Sequence, residues 1–384
     1  MIHKSMIRHK IIAVASIFVA IMLFMGSVAG AAEAEADNRP PIEIYLNGTR
    51  LISDVPPVIK DDRTFVPIRI IGEALGYVVD YSEDTVTMRH SGSGMSIAMT
   101  IGEPSVTVNE QVVDLPVPAF IESGRTLAPV RFISEALGSR VDWYEGYGPT
   151  PDTVYIYSPY PVKTPGGVVQ IASRVEEQFW ELEGGWLGTA DIGYSICAPI
   201  FAIPGSENLA AILNERIADI VDQSIDEMMT VYNEMIEENN PDEVYSCTDE
   251  FYYEIIEDNG RVLSLQIEGY IYLGGAHGMP YIYSYNIDYD QGILLTLADI
   301  FKTGANYKDI LLQRMNDICE IFPDEYEYVT KPDYLDEESF HFKDGDLVLF
   351  YHPYELSSYA RGFVEFRIPL ESLAEYIKDE YLSY

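Results

Sequence analysis

The sequence has few cysteines and few basic side chains. Its three cysteines, Cys197, Cys247 and Cys319, form no C-x-x-C pair and have no nearby His pair. A disulfide-stapled miniprotein and a structural zinc site are therefore excluded, and three buried thiols are favoured over one disulfide with a leftover thiol. Lys and Arg number 24 against 62 Asp and Glu, a formal net charge of −38. Because phosphate contacts need clustered Lys and Arg, this balance argues against a nucleic-acid binder.

The N-terminal residues are typical of an export signal. Three basic residues precede an apolar run at residues 11–25, and small residues follow it. We predict a signal peptide over residues 1–31, with Ala29 and Ala31 at the −3 and −1 positions of the cleavage site. The alternative is an uncleaved single-span anchor, because the apolar run is only marginally long enough to cross a bilayer. The predicted location is secreted, or associated with the cell surface or wall.

Two segments of the first half repeat each other at an offset of 62 residues. Residues 63–76, RTFVPIRIIGEALG, and residues 125–138, RTLAPVRFISEALG, are identical at nine of 14 positions. The match begins further upstream, at Asn47 and Asn109. A match of this length indicates a duplicated structural unit.

Each copy of the repeat is predicted to contain a strand, a turn, a short helix and another strand. Pro67 and Pro129 suit the first helical turn, where a missing N–H costs nothing, and a glycine follows the last turn of each helix. Two copies of one small unit most simply make one pseudo-symmetric α+β domain. We place this domain at residues 42–158, with repeats at 44–102 and 106–158.

The R-T-x-x-P-x-R-x-I-x-E-A-L-G pattern of both copies resembles the N-terminal domain of copper amine oxidases. The resemblance implies a module of exported Gram-positive proteins and not the oxidase activity, whose copper belongs to a separate domain with an H-x-H pair. Because this chain has six His and no H-x-H, we expect no copper, no other metal and no cofactor. Four arginines are weak candidates for contact with a wall polymer: Arg63, Arg69, Arg125 and Arg131. The favoured alternative is that they pair with nearby acidic side chains and turn carbonyls.

Proline and glycine cluster at residues 159–167, which predicts a linker. The charge changes across this segment. Residues 32–165 carry 19 acidic and 10 basic side chains, whereas residues 166–384 carry 43 and 11, a net charge of −32. We therefore predict a second, acidic domain over residues 168–384.

The second half contains patterns of helices and antiparallel strands that are segregated along the chain, which favours an α+β fold. Asp258-Asn259-Gly260 between two β-rich runs is a strong hairpin signal. The predicted helices run from a cap at 205–207 to about 238, from 307 to 321 and from 370 to 381. The predicted strands are 251–256, 262–272, 281–289, 340–343, 347–351 and 363–368.

Two stretches of the second half carry a further resemblance. They are YLGGAHG at residues 272–278, followed by LTLADIF, and DLVLFYHPYELSSYARG at residues 346–362. Both resemble the extracellular domain shared by lysozyme-sensing anti-sigma factors and by the non-catalytic region of peptidoglycan deacetylases. The resemblance implies that an acidic domain recognises a basic extracellular protein, lysozyme. We expect neither the sigma-binding domain of the first group nor the catalytic domain of the second.

Four residues of the second half are candidates for a functional site. His277, in a glycine-rich turn, is a candidate ligand contact or general base, and the favoured alternative is a histidine that bonds to neighbouring backbone and fixes the turn. Tyr354, Glu355 and Tyr359 follow a strand and are candidate partner contacts, because interface hot spots favour aromatic residues. Buried tyrosine packing is their alternative.

These patterns together favour an exported, envelope-associated binding protein without catalysis. A domain with a net charge of −32 attracts cationic partners, so we predict a basic extracellular protein such as lysozyme, or a wall component, as the ligand. The alternatives are a peptidoglycan-modifying enzyme centred on His277 and a structural spacer at the wall. Membrane contact is expected only if the signal segment stays uncleaved.

Overall fold

The computed structural model describes residues 40–90, 94–146, 150–183, 189–238 and 244–382. The predicted signal peptide lies outside the described residues. Within these ranges the fold is α+β, as predicted, with mostly antiparallel sheets and one long helix. No helix in the described part of the chain is long and apolar enough to cross a membrane.

The described part of the N-terminal module contains two short helices and a set of short strands, and the strands form three sheets. The sheet orders are β12-β13-β1-β2, β10-β11-β4-β3 and β5-β6-β7-β8-β9. The elements are β1 (Glu43–Leu46), β2 (Thr49–Arg50), β3 (Val58–Lys60), β4 (Arg63–Pro67), α1 (Ile68–Ala74), β5 (Tyr77–Ser82), β6 (Thr85–His90), β7 (Ser96–Thr100), β8 (Ser105–Val108), β9 (Gln111–Asp114), β10 (Phe120–Glu122), β11 (Arg125–Pro129), α2 (Val130–Ala136), β12 (Arg140–Tyr144) and β13 (Thr153–Tyr157).

The two repeats are related by a pseudo-twofold axis that passes between β4 and β11. These strands pair antiparallel, with Val66 opposite Ala128. Because position 128 lies 62 residues after position 66, Val66 faces its own counterpart. Side chains of both copies, such as Ile71 and Ile133, enter one hydrophobic core. The two copies therefore share one main core, and a smaller cluster around Phe65 and Leu127 also takes residues from both copies.

The helices α1 and α2 have the ends that the repeat predicts. Each begins directly after a proline, and each is followed by a glycine at positive φ. Gly76 and Gly138 have φ values of 79° and 80°, a left-handed conformation that glycine adopts without the steric cost of a Cβ. Pro67 and Pro129 precede the first helical residue, one position earlier than expected.

The second half contains a seven-stranded sheet and a three-stranded sheet, in the orders β14-β15-β16-β17-β18-β19-β20 and β21-β22-β23. Its strands are β14 (Val162–Lys163), β15 (Gln170–Glu183), β16 (Thr189–Ala202), β17 (Cys247–Asp258), β18 (Val262–Tyr272), β19 (Met279–Asp288), β20 (Ile293–Leu294), β21 (Phe340–Lys343), β22 (Asp346–Tyr351) and β23 (Val364–Pro369). Its helices are α3 (Glu207–Glu238), α4 (Leu297–Ile300) and α5 (Tyr307–Ile321).

The long helix α3 joins β16 to β17, which pair in parallel, and it covers one face of the large sheet. Its apolar stripe is buried there, with Leu213 and Ile217 in the same core as Phe251 and Tyr253 of β17. Because successive side chains of a strand point to opposite faces of the sheet, Glu250, Tyr252 and Glu254 lie on the face opposite α3.

The three-stranded sheet packs on that opposite face through buried hydrogen bonds. Asn286 of β19 donates to the Phe340 carbonyl at 2.8 Å, and the amide N–H of Phe342 donates to the Ser264 hydroxyl at 3.0 Å. The His341 ring lies 3.0 Å from the Gln266 amide nitrogen. Burial lowers the pKa of His341 to about 3, so this ring stays uncharged at neutral pH.

A buried amide connects the N-terminal module to the large sheet. The Asn47 side chain, 1% exposed, donates to the carbonyls of Ser158 at 3.1 Å and Ile171 at 2.9 Å. Its oxygen accepts from the Ser158 amide at 2.7 Å and from the Ser173 hydroxyl at 2.8 Å. The Ser173 hydroxyl also lies 2.6 Å from the Tyr253 hydroxyl. One side chain therefore links β1, β13, β15 and β17.

The residue after Asn47 must be small for the two parts to meet. Gly48 has a φ of 74°, and its carbonyl accepts a hydrogen bond from the Ile255 amide at 3.2 Å. A Cβ at this position would lie 3.1 Å from that nitrogen and 3.2 Å from the Tyr253 ring. Glycine provides both the backbone conformation and the close approach.

The predicted helix at residues 370–381 is wrong. The structure has 3-10 turns at Leu370–Leu373 and Asp379–Tyr381 instead. The backbone between them bonds to the α4 region, because the Lys378 amide donates to the Ile300 carbonyl at 3.0 Å and Ile377 forms a β-bridge with Phe301. These long-range bonds take the groups that an α-helix would pair internally.

Other features were not expected from the sequence. The segment predicted as a linker contains β14, which pairs with the start of β15. The long hairpin of β15 and β16 was not predicted at all, because its residues show little regular alternation. All three cysteines are free thiols, with Cys197 and Cys247 buried and Cys319 half-buried.

Asn109 provides a matched control for the buried amide of Asn47. Both residues have a φ of 46°, and each accepts a hydrogen bond from the serine at the equivalent position of the repeat. Asn109 is exposed, however. We expect Asn47→Ala to lower the free energy of unfolding by about 3–5 kcal/mol, because it leaves several buried polar groups unpaired. Asn109→Ala should cost about 1 kcal/mol.

Urea unfolding of both variants measures this difference. The cost of alanine at positive φ is common to the two and cancels in the comparison. Equal losses of stability would contradict the role of Asn47 in joining the two halves.

Candidate functional site

Three of the four sequence-predicted site residues lie together. The His277 ring stacks on the Tyr359 ring with centroids 3.8 Å apart and an interplanar angle of 20°. The Tyr354 hydroxyl lies 3.1 Å from His277 Nε2. His277 comes from the glycine-rich turn between β18 and β19, whereas both tyrosines come from the loop after β22. The structure therefore joins two stretches that are 77 residues apart in the chain.

The hydrogen bonds of His277 define its tautomer. Its Nδ1 lies 3.0 Å from the Gly278 carbonyl, an acceptor, so Nδ1 carries the proton in the neutral ring. Nε2 then accepts from the Tyr354 hydroxyl. The ring thus bonds to the backbone of its own turn, and its other nitrogen faces the exposed Tyr354 side chain.

Glu355 belongs to a neighbouring cluster. Its carboxylate accepts from the His352 amide and, at 2.9 Å, from the Tyr334 hydroxyl. His352 in turn lies 3.2 Å from the Ile282 amide nitrogen of β19. Glu355 therefore anchors the start of the loop that carries Tyr354 and Tyr359.

The four candidate arginines are exposed, and three of them have local contacts. Arg63 donates to the Asp61 carbonyl at 3.1 Å. Arg69 lies 3.7 Å from Glu73 and over the ring of Tyr81. Arg125 forms an ion pair with Asp54 that crosses the repeat boundary. These contacts are of the pairing type that the sequence offered as the alternative; for Arg131 the structure shows only that it is exposed.

A second group of residues, which the sequence did not single out, lies on the face of the large sheet opposite α3. Glu250, Tyr252 and Glu254 alternate along β17, and Glu268 and Tyr270 alternate along β18. The register places Tyr252 opposite Glu268 and Glu250 opposite Tyr270. Acidic and tyrosine side chains therefore form one surface, which we call the junction groove floor.

Tyrosines of the N-terminal module form a wall beside this floor. The rings of Tyr144 and Tyr155 lie 5.7 Å and 5.5 Å from the Tyr252 ring, centroid to centroid. Tyr45 stacks on Tyr155 at 5.2 Å. Tyr144 is 44% exposed, so the wall is accessible to solvent. We call this wall and the floor together the junction groove.

The junction groove continues to the sequence-predicted residues. The Tyr270 hydroxyl at the end of the floor accepts from the Gly278 amide at 2.8 Å and is hydrogen-bonded to the Tyr359 hydroxyl. Tyr359 in turn stacks on His277. The acidic floor and the aromatic loop are therefore parts of one continuous surface.

The carboxylates of the floor are partly desolvated, and the nearby charges of Arg140 on Glu250 and of Lys343 on Glu254 and Glu268 offset this only in part. Burial raises the pKa of Glu254 to about 7, and the charge of Glu268 adds to this shift. Burial likewise raises the pKa of Glu268 and of Glu250. Glu268 accepts from the Tyr252 hydroxyl at 3.1 Å. Within the described ranges, none of these three glutamates forms an ion pair, and no cluster of acidic, His or Cys side chains has a metal-binding arrangement.

The comparisons with known proteins fit this architecture. Residues 45–149 match the family model of the copper amine oxidase N-terminal domain, residues 190–280 that of the deacetylase PdaC, and residues 298–371 that of a protein family of unknown function, DUF3298. Both resemblances drawn from the sequence are confirmed. The PdaC and DUF3298 matches indicate an envelope-associated protein.

Two solved structures are similar to about half of the chain. One is a DUF3298 family member from Bacteroides fragilis, with 19% identity over 54% of this chain and 94% of that one, at a TM-score of 0.40. The other is a DUF3298 family protein from Pseudomonas aeruginosa, with 16% identity over 55% and 95%, at a TM-score of 0.39. No curated protein matches the chain.

Stability should depend on pH through Glu254. A carboxyl whose pKa rises on folding, here from 4.5 to about 7, stabilises the fold below pH 4.5 and loses that contribution as the pH rises through 7. We expect Glu254→Gln to raise the free energy of unfolding at pH 8 by about 2 kcal/mol, because glutamine has no charge to desolvate. The gain should disappear towards pH 4.5.

Urea unfolding of the parent and the variant between pH 4.5 and 8 tests this expectation. Glu375→Gln, at an exposed position of the C-terminal segment, removes the same charge and should have little effect. A gain that is the same at all pH values would contradict the assignment to Glu254.

Proposed function

We propose that this protein is an exported, envelope-associated binding protein that recognises a basic extracellular protein, with lysozyme as the leading candidate, and that it acts without catalysis. The observation that carries the proposal is the junction groove, where Glu254 and Glu268 are partly desolvated and form no ion pair among the described residues. A cationic partner would supply the missing charges.

The overall charge supports the same ligand class. The net charge of −32 on residues 166–384 attracts cations over distances of several ångströms and accelerates their encounter, most strongly at low salt. The aromatic loop adds contact area of the kind that dominates protein interfaces, because Tyr354 is 57% exposed and lies beside Tyr359.

The N-terminal module would position the binding domain at the wall. Its close connection to the large sheet through Asn47 supports this role, since a rigid junction holds the groove in one shape. A wall component is the alternative ligand. A peptidoglycan-modifying activity centred on His277 remains the second function, and its supporting observation is the hydrogen bond between His277 Nε2 and Tyr354.

Calorimetric titration of residues 32–384 with a basic lysozyme at two salt concentrations tests the proposal. We expect saturable binding that weakens as salt rises, because charge pairs at an exposed interface are screened. Tyr354→Ala should weaken binding about tenfold, the loss of a typical aromatic hot spot.

Tyr328→Ala is the matched control for this variant. Tyr328 is 86% exposed and has a φ of 66°, close to the 74° of Tyr354, so both variants lose an exposed phenol at positive φ. Absence of binding at either salt concentration, or equal effects of the two variants, would contradict the proposal. Turnover of peptidoglycan that His277→Ala abolishes would favour the enzymatic alternative.

A further inference from the structure

We infer that the junction groove is the binding site for a single basic side chain, an arginine guanidinium or a lysine ammonium, of the protein's partner. The cation would lie over the tyrosine wall and between the carboxylates of the floor. The inference deepens the proposed function and rests on it for the partner's chemistry. It places the main charge contact in the groove between the two halves of the chain and not on the His277 loop.

The positions of the carboxylates suit one cation. Glu254 lies opposite Gln266 and Glu268 lies opposite Tyr252, so the two glutamates are diagonal neighbours on adjacent strands. Such neighbours are about 7–8 Å apart at the backbone, and their side chains are long enough to reach one group between them. A cation there would relieve their mutual repulsion, which contributes to the raised pKa of Glu254.

A nearby glutamate shows the contrast. Glu43, beside the wall, is compensated by Arg50 at 2.5 Å and accepts from the Tyr45 hydroxyl at 3.0 Å. The nearest basic residue that influences Glu254 and Glu268 is Lys343 of β21, which is exposed and forms an ion pair with neither of them. Glu254 and Glu268 therefore have no ion-pair partner within the described part of the chain, in contrast to Glu43.

The tyrosine wall selects an organic cation. Faces of aromatic rings attract Arg and Lys through their negative π-surface. Tyr144, Tyr155 and Tyr252 lie within 5.7 Å of one another, centroid to centroid, so a flat guanidinium could stack on one ring and reach a carboxylate. A metal ion is a poorer candidate, because the described carboxylates are not clustered in a metal-binding arrangement.

A small cationic peptide tests this inference without a partner protein. Residues 32–384 are titrated by calorimetry with tri-arginine amide at low salt. We expect saturable binding that Glu268→Gln weakens at least tenfold and Tyr144→Leu weakens at least threefold. Glu375→Gln, which removes one negative charge from an exposed position, should change the affinity less than twofold. Urea unfolding confirms that each variant is folded.

Each outcome decides the inference. No binding of tri-arginine, or equal effects of Glu268→Gln and Glu375→Gln, would overturn it, because affinity would then be absent or would reflect total charge alone. Binding of tri-arginine that depends on Glu268, without binding of lysozyme, would support the groove and overturn the proposed partner. Binding of lysozyme that depends on Tyr354 but not on Glu268 would support the partner and overturn the groove.

Discussion

The position of the N-terminal module on the large sheet depends on one buried amide. Asn47 satisfies both its donor and its acceptor groups with Ser158, directly after β13, and with residues of β15, and Ser173 extends the chain of bonds to Tyr253. A buried amide is stable only when these groups are paired, so the network permits one relative position of the module and the large sheet. Two residues before it in β1 is Tyr45, part of the tyrosine wall. The geometry that satisfies Asn47 therefore also builds the junction groove.

The junction groove combines features that oppose stability with features that suit binding. Glu254 and Glu268 lose hydration on a partly buried sheet face without forming an ion pair among the described residues, and the raised pKa of Glu254 reflects that cost. Stable sheets can carry such a cost when the other face is well packed, as it is here beneath α3. Carboxylates with raised pKa values at an accessible surface are typical of a site where another molecule supplies the opposite charge.

Local features of the fold could be predicted from the sequence, whereas the groove could not. The repeat, the helix at Tyr307–Ile321 and the hairpin at Asn259 depend on neighbouring residues, and all appear in the structure. The groove joins Tyr144 to Tyr252, more than 100 residues apart, through a parallel strand pair that α3 creates. Alternation in β17 predicts two faces, but which face meets the module depends on tertiary packing. The segment at 370–381 shows the same limit, since its β-bridge partner is Phe301.

The duplication leaves the module with two versions of one turn, and only one of them is used at the junction. Gly48 of the first copy has no Cβ, so the backbone of β17 can approach it, whereas the second copy has Glu110 at the same place, with a φ of 70° and an exposed side chain. Any Cβ in the first copy would lie 3.2 Å from the Tyr253 ring, closer than an ordinary contact. The residue after the asparagine thus makes the two copies of the repeat different and determines which copy can contact the next domain. It would have the same effect in tandem arrays of such modules.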